Sequence, residues 1–98
     1  MGIFGQQGEL PIPPRAKADA KAIELVRIWA AGGEQQLALR AEAWPDAAAW
    51  GILLVDLARH AAQAFAQTHA CKPEEALRRI REGFDAEWSA PTDNTGNE

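Results

Sequence analysis

Asp56, Arg59 and His60 are three functional side chains close enough in sequence to act together in catalysis or binding. On a helix, positions i, i+3 and i+4 share one surface, so the carboxylate, the guanidinium and the imidazole would meet there. A carboxylate that orients an imidazole beside a guanidinium can serve acid–base catalysis or bind an anion. The same spacing also suits an ion-pair cluster on the polar stripe of an apolar helix. We favour the ion-pair interpretation, because no second half of a catalytic site is found in the sequence.

Trp50 completes the candidate ligand or interface residues. The chain has four Trp and no Tyr, which is the most unusual feature of its composition. Each Trp lies at the apolar face or the boundary of a predicted element, and this favours a place in the core. Aromatic side chains in excess of what a small core can enclose are instead typical of an interface.

A metal site would have to use His60, His69 and Cys71. His60 precedes His69 by nine residues and points about half a turn away from it on a helix. No paired CxxC or HExxH spacing supports such a site. We therefore expect no metal and no cofactor, and we favour a non-catalytic protein over an enzyme.

One long predicted helix, from Trp44 to His69, positions the candidate residues. Leu54, Ala61 and Phe65 form the centre of its apolar arc, which suits the core of a small fold or half of a subunit interface. Asp46 is placed to cap the helix by accepting hydrogen bonds from its first free N–H groups.

Gly51 stands inside this helix, where glycine costs about 1 kcal/mol relative to alanine. It lines up with Val55, Ala58 and Ala62 on one side of the apolar arc. Small residues at this spacing let another element approach closely, so we expect the glycine to serve packing.

A second helix is predicted to begin at Pro73. Its apolar residues Leu77, Ile80, Phe84 and Trp88 follow at i, i+3, i+7 and i+11. This spacing predicts one buried stripe on an otherwise solvated helix.

Two structures compete for residues 23–41. As a helix, the segment would be capped by Asp19 and ended by Gly32. As a hairpin, it would reverse at Ala31-Gly32-Gly33-Glu34. Its first strand would alternate Ile23, Leu25 and Trp29 with Glu24, Val26 and Ile28, and Leu37, Leu39 and Ala41 would line the inward face of the second. We favour the hairpin, because Val, Ile and Trp favour strands and paired glycines between two short runs indicate a turn.

The predicted fold is therefore α+β, a β-hairpin followed by two packed α-helices, with an all-α three-helix fold as the alternative. Residues 1–14 are rich in Gly and Pro and predict an extended N-terminal arm. Residues 15–90 are expected to form a single domain, and residues 91–98 a flexible tail.

Charge and composition limit the partners. The chain has 98 residues and a net charge of −4, whereas nucleic-acid binders usually carry a basic patch, so we expect no nucleic acid partner. The longest apolar run is far too short to span a bilayer, so we expect no membrane association. Cys71 cannot form an internal disulfide, and no signal-peptide pattern is present, which together favour the cytoplasm.

Several short motifs in combination resemble one family. They are Glu24–Arg27–Trp29, Ala49-Trp50-Gly51, Asp56-Leu57-Ala58-Arg59-His60, Arg79-Ile80-Arg81, Phe84-Asp85-Ala86-Glu87-Trp88 and Pro91-Thr92-Asp93. Over residues 9–93 the chain resembles small bacterial proteins that share a domain of unknown function, number 5076. The resemblance implies an α+β fold and a bacterial cytosolic setting, and it implies no activity.

Two functions stay open from the sequence. The first is a non-catalytic protein-interaction or assembly module that acts as a homodimer, because a lone hairpin is marginal and the long helix is very apolar. The second is a small-molecule or anion-binding protein that uses Asp56, Arg59 and His60. The surroundings of this polar stripe, a concave pocket or a flat surface, would separate the two.

Overall fold

The structure of the protein, a computed structural model, describes residues 8–91. Its elements are α1 (Pro14–Ala18), β1 (Val26–Ala31), β2 (Glu34–Leu39), α2 (Ala48–His69) and α3 (Pro73–Ser89). The chain divides between Pro45 and Asp46 into two compact units, a hairpin unit and a helical unit. Residues 1–7 of the predicted arm and residues 92–98 of the predicted tail lie outside the described residues.

The predicted α+β fold is confirmed, since a two-stranded antiparallel hairpin precedes two helices that pack together. The all-α alternative is wrong, because most of residues 23–41 pair as strands. Strand-favouring side chains and the paired glycines outweigh the helix propensity of the alanines and glutamates in this segment.

The hairpin turn lies where the sequence predicts it. β1 and β2 pair from Val26 opposite Leu39 to Ala31 opposite Glu34, so the turn contains Gly32 and Gly33. These glycines have φ angles of +63° and +81°. Residues with a side chain rarely adopt this left-handed region, which explains both glycines.

The strands are shorter than predicted because local contacts shape the ends of the hairpin. The Asp19 carboxylate accepts a hydrogen bond from the Lys21 N–H at 2.9 Å, and the chain turns there before β1 begins. At the open end, the Arg40 side chain donates to the Glu24 carbonyl at 2.9 Å, and its backbone N–H donates to the Leu25 carbonyl at 2.9 Å. Arg40 thereby joins the end of β2 to the approach to β1.

One face of the hairpin is apolar. Opposite residues in an antiparallel pair share a face and successive residues alternate. The register therefore groups Val26 and Ile28 with Leu37 and Leu39, while Trp29 lies on the other face. Ile28, Leu37 and Leu39 are 49–58% exposed, so this apolar face is open to solvent.

α2 begins later than predicted but with the predicted cap. Residues 41–43 form a 3₁₀ turn and Trp44 is extended, so the helix starts at Ala48. The Asp46 carboxylate accepts a hydrogen bond from the Ala48 N–H at 3.0 Å. α2 ends at His69, and Ala70, with a left-handed φ of 54°, leads into the turn before α3.

The helical unit is packed through alanine. Its buried residues are Ala62 and Ala66 of α2 and Ala76 of α3. Small side chains at these positions let the two helices approach closely. Leu54 and Phe65 of the predicted apolar arc are 48% and 49% exposed, so this arc is not the core of the unit.

The predicted stripe on α3 is partly buried near the start of the helix and exposed further along. Leu77 and Ile80 are half-buried, whereas Phe84 and Trp88 are 45% and 76% exposed. The rings of Phe84 and Trp88 stack with centroids 5.6 Å apart. The prediction that the whole stripe is buried is therefore wrong for its second half.

Candidate functional site

Two of the three residues that were predicted to meet on α2, Asp56 and His60, are in contact, whereas Arg59 makes no hydrogen bond or ion pair within residues 8–91. The His60 Nδ1 atom lies 2.8 Å from the Asp56 backbone carbonyl and 3.7 Å from its carboxylate. A carbonyl oxygen only accepts hydrogen bonds, so Nδ1 carries the proton in this contact. The interaction of Asp56 with His60 thus stays within one turn of the helix.

This cluster is open to water. The side chains of His60 and Asp56 are 75% and 66% exposed, and Arg59 is exposed beside them. Binding sites for small molecules are usually concave and bury most of the ligand. Water at the cluster also weakens its electrostatic effect on a bound group. The arrangement therefore resembles a surface ion-pair cluster more than an enclosed ligand site.

Trp50 does not join the other candidate residues. It precedes Arg59 by nine residues on the same helix, which places the two side chains about 180° apart around the axis. Trp50 is half-buried, whereas Arg59 is exposed. Trp50 thus lies on the opposite side of α2 from Arg59.

A groove of about 500 Å³ runs along the first half of α2. Its lining residues are Ala48, Gly51, Ile52, Val55, Asp56 and Arg59. All six belong to α2, and their spacing places them on one face. Because only one helix lines this groove, it is a shallow, open depression between side chains and not an enclosed cavity. Asp56 and Arg59 give its far end a carboxylate and a guanidinium, which were singled out from the sequence for other reasons.

A second hollow of about 490 Å³ lies between the end of α2 and the start of α3. Its walls include Phe65, Cys71, Arg78 and Arg79. The ring of Phe65 stacks on that of His69 with centroids 3.9 Å apart. Sequence reasoning considered His69 and Cys71 together as metal ligands and missed this hollow, because its walls come from two helices.

The metal interpretation gains no support from the geometry. Within residues 8–91, no group of three or more His, Cys, Asp or Glu side chains is placed to hold a metal ion. The Nδ1 atom of His69 lies 2.7 Å from the Thr68 hydroxyl and 3.2 Å from the Phe65 carbonyl, contacts within its own helix.

Arg27 on the hairpin forms a contact that sequence reasoning did not single out. Its guanidinium binds Glu24 through two hydrogen bonds of 3.0 and 3.1 Å and forms an ion pair with Glu9 at 2.9 Å. The hydrogen bond and the negative charge of Glu24, with the charge of Glu9, raise the pKa of Arg27. The pair with Glu9 brings the described part of the arm into contact with β1. Arg27 is therefore a structural residue of the hairpin unit.

No helix among the described residues has the length and apolarity needed to cross a membrane.

Comparison with other proteins places the chain in a family. No curated protein matches the sequence. A solved structure, "Structure of a putative pyruvate dehydrogenase from the photosynthetic bacterium Rhodopseudomonas palustrus CGA009", is 42% identical. The match covers 87% of each chain, with a TM-score of 0.69. The model of a domain of unknown function, DUF5076, matches residues 9–92. Because this match spans most of the sequence and agrees with the motifs noted above, the chain belongs to the DUF5076 family.

Proposed function

We propose that the protein is a non-catalytic interaction module that assembles as a homodimer. The observation that carries this proposal is the imbalance between its buried and exposed apolar side chains. Among residues 8–91, the only buried apolar side chains are those of Ala62, Ala66 and Ala76. Ten larger ones on the strands and long helices are at least 45% exposed: Ile28, Leu37, Leu39, Ile52, Leu54, Val55, Leu57, Phe65, Phe84 and Trp88.

The energetics of burial support assembly. Burying one Leu, Ile, Val or Phe side chain contributes about 1.5–3 kcal/mol, whereas alanine has little apolar area to bury. A two-stranded hairpin is at best marginally stable by itself. Association would move several large side chains out of water at once and would also protect the edges of the hairpin.

A second copy of the chain is the partner that we propose. Homo-oligomers with two-fold symmetry are the commonest soluble assemblies, and they bury the same patch on both subunits. The mixed charges along α2 and α3 suit such self-complementary pairing. We also propose a bacterial cytoplasmic setting, which is supported by the single cysteine and by the bacterial source of the solved relative.

The solved relative carries the name of a pyruvate dehydrogenase, and we do not propose this activity for the chain. Cofactor-dependent enzymes hold the reactive atom of the cofactor in a defined position against the substrate. The Asp56–His60 pair is exposed, and the groove beside it is lined by one helix. An anion bound by Asp56, Arg59 and His60 would also be exposed to water, since no second element of the helical unit surrounds these side chains.

Sedimentation equilibrium over a wide concentration range tests the homodimer. The expected result is a species of twice the 10.6 kDa chain mass that dissociates on dilution. A monomer at all concentrations up to high micromolar would overturn the proposal. Phosphate or sulfate that raises the melting temperature of the parent, but not of an Arg59→Ala variant, would favour the anion-binding function instead.

A further inference from the structure

Gly51 is a glycine that the chain itself does not require. It is exposed in the interior of α2 and has no positive φ. A Cβ atom at this position would meet no heavy atom within 4 Å beyond its own stretch of helix. Glycine inside a helix is destabilising relative to alanine. Neither backbone conformation nor packing among the described residues therefore explains it.

Exposed apolar side chains lie beside Gly51. Ile52 is 72% exposed and Val55 is 53% exposed, and both line the groove on α2. A second helix can approach closely where a glycine is flanked by larger apolar side chains, because ridges of one helix then enter the groove of the other. The missing side chain and the exposed neighbours thus indicate the same surface.

We propose that this groove binds the same groove of a second copy, with the two α2 helices antiparallel and in contact at Gly51. This inference rests on the proposed homodimer and specifies the surface that forms it. Its two-fold axis would pass between residues 53 and 54, the midpoint of the groove.

Side-chain size favours the antiparallel orientation. The facing pairs would be Ala48 with Arg59, Gly51 with Asp56, and Ile52 with Val55. Each long or charged side chain would then lie opposite a small one, and the two branched apolar side chains would pack together. A parallel pair would instead bring Arg59 against a second Arg59, which is unfavourable for like charges.

Charge favours the same orientation. Within residues 8–91, Arg59 makes no hydrogen bond or ion pair. In the antiparallel pair, it would lie near Asp46 of the partner subunit, which precedes Ala48 by two residues. The Asp46 carboxylate accepts one hydrogen bond from its own helix and has further acceptor sites. The two-fold axis would form this contact twice.

The first test compares two glycines. Gly83 of α3 is also exposed, and a Cβ there would meet no heavy atom within 4 Å, so it is a matched control. Sedimentation equilibrium would give the dimer dissociation constants of the parent and of Gly51→Leu and Gly83→Leu. We expect Gly51→Leu to raise the constant at least about tenfold, because overpacking a close contact is costly. Gly83→Leu should change it by less than about twofold.

A second test locates the axis. Ile52→Cys in a Cys71→Ser background would place cysteines of two copies beside the two-fold axis, so mild oxidation should link them. Gln67→Cys in the same background, near the far end of α2, should stay unlinked. Linkage of both variants would contradict the antiparallel orientation, and linkage of Gln67→Cys alone would contradict the whole placement.

The outcomes separate the two proposals. A parent chain that is monomeric throughout the concentration range overturns the homodimer and this inference with it. A dimeric parent whose dissociation constant is unchanged in Gly51→Leu overturns only the inference, and the homodimer then uses another surface. A dimer that is weakened by Gly83→Leu and not by Gly51→Leu would show that the dimer interface includes α3 instead.

Discussion

The glycines of the hairpin and the glycine of α2 have different explanations. Gly32 and Gly33 adopt positive φ angles at a two-residue turn, so the backbone of the chain itself requires them. Gly51 has no such conformation and no close neighbour outside its helix. The backbone conformation of one chain therefore explains the glycines of the hairpin, whereas nothing within one chain explains the glycine of α2.

The two halves of α2 differ in what covers their small residues. Small residues recur on one face of the helix at Ala48, Gly51, Ala58, Ala62 and Ala66. In the second half, Ala62 and Ala66 are buried where α3 packs. In the first half, Ala48 and Gly51 line an exposed groove. The face that accepts a helix at one end thus offers the same kind of surface at the other.

The largest effect is expected where that face is already covered. Ala62 is 2% exposed, so Ala62→Leu should destabilise the protein by about 1–3 kcal/mol through overpacking against α3. Urea denaturation would measure the loss. Ala64→Leu, on the exposed surface of the same helix, should change stability by less than about 0.5 kcal/mol. Equal losses in both variants would show that α3 does not pack on the alanine face.

Phe84→Ala should have an effect of similar size. A fully buried phenylalanine costs about 3–5 kcal/mol when truncated, and the 45% exposure of Phe84 reduces the expected loss to about 1.5–2.5 kcal/mol. Denaturation at several protein concentrations would measure it. A loss of stability of about 3–5 kcal/mol at every protein concentration would contradict the exposure seen for this side chain.

Gly33→Ala should cost about 1–2 kcal/mol, because its φ of +81° is strained for a residue with a Cβ atom. Thermal or chemical unfolding would measure the loss. Gly33→Asn is the control, since asparagine tolerates the left-handed region better and should lose less. If alanine is accepted without cost, the hairpin turn does not have this conformation in solution.

Sequence reasoning predicted the hairpin well because its determinants are local. The turn depends on the paired glycines, and the hydrogen bond from the Ala48 N–H to the Asp46 carboxylate depends only on neighbouring residues. The structure confirms both predictions. The face of α2 that packs was harder to predict, because the hydrophobic pattern marks Leu54 and Phe65, whereas α3 packs where side chains are small.

The candidate site shows the same limit. The contact of Asp56 with His60 follows from spacing four residues apart and was predictable. The position of Trp50 on the opposite side of α2 from Arg59 also follows from helix geometry. The sequence analysis nevertheless grouped the two as candidate residues on residue type alone. The groove beside Asp56 and Arg59 could not be predicted, because it depends on which residues α3 leaves uncovered.

Gly51→Ala is the most direct test of the claim that a second copy covers the first half of α2. In an uncovered helix, alanine should stabilise by about 1 kcal/mol, because it favours helix more than glycine and meets no neighbour. The measurement is the melting temperature of the parent, Gly51→Ala and the control Gly83→Ala. Each protein is measured at one concentration below the dimer dissociation constant and at one concentration above it.

We predict that Gly83→Ala raises the melting temperature at both concentrations. Gly51→Ala should raise it only at the low concentration and should lower it, relative to the parent, where the dimer forms, because the added methyl group separates the helices. An equal rise for both variants at both concentrations would show that no second copy covers the first half of α2.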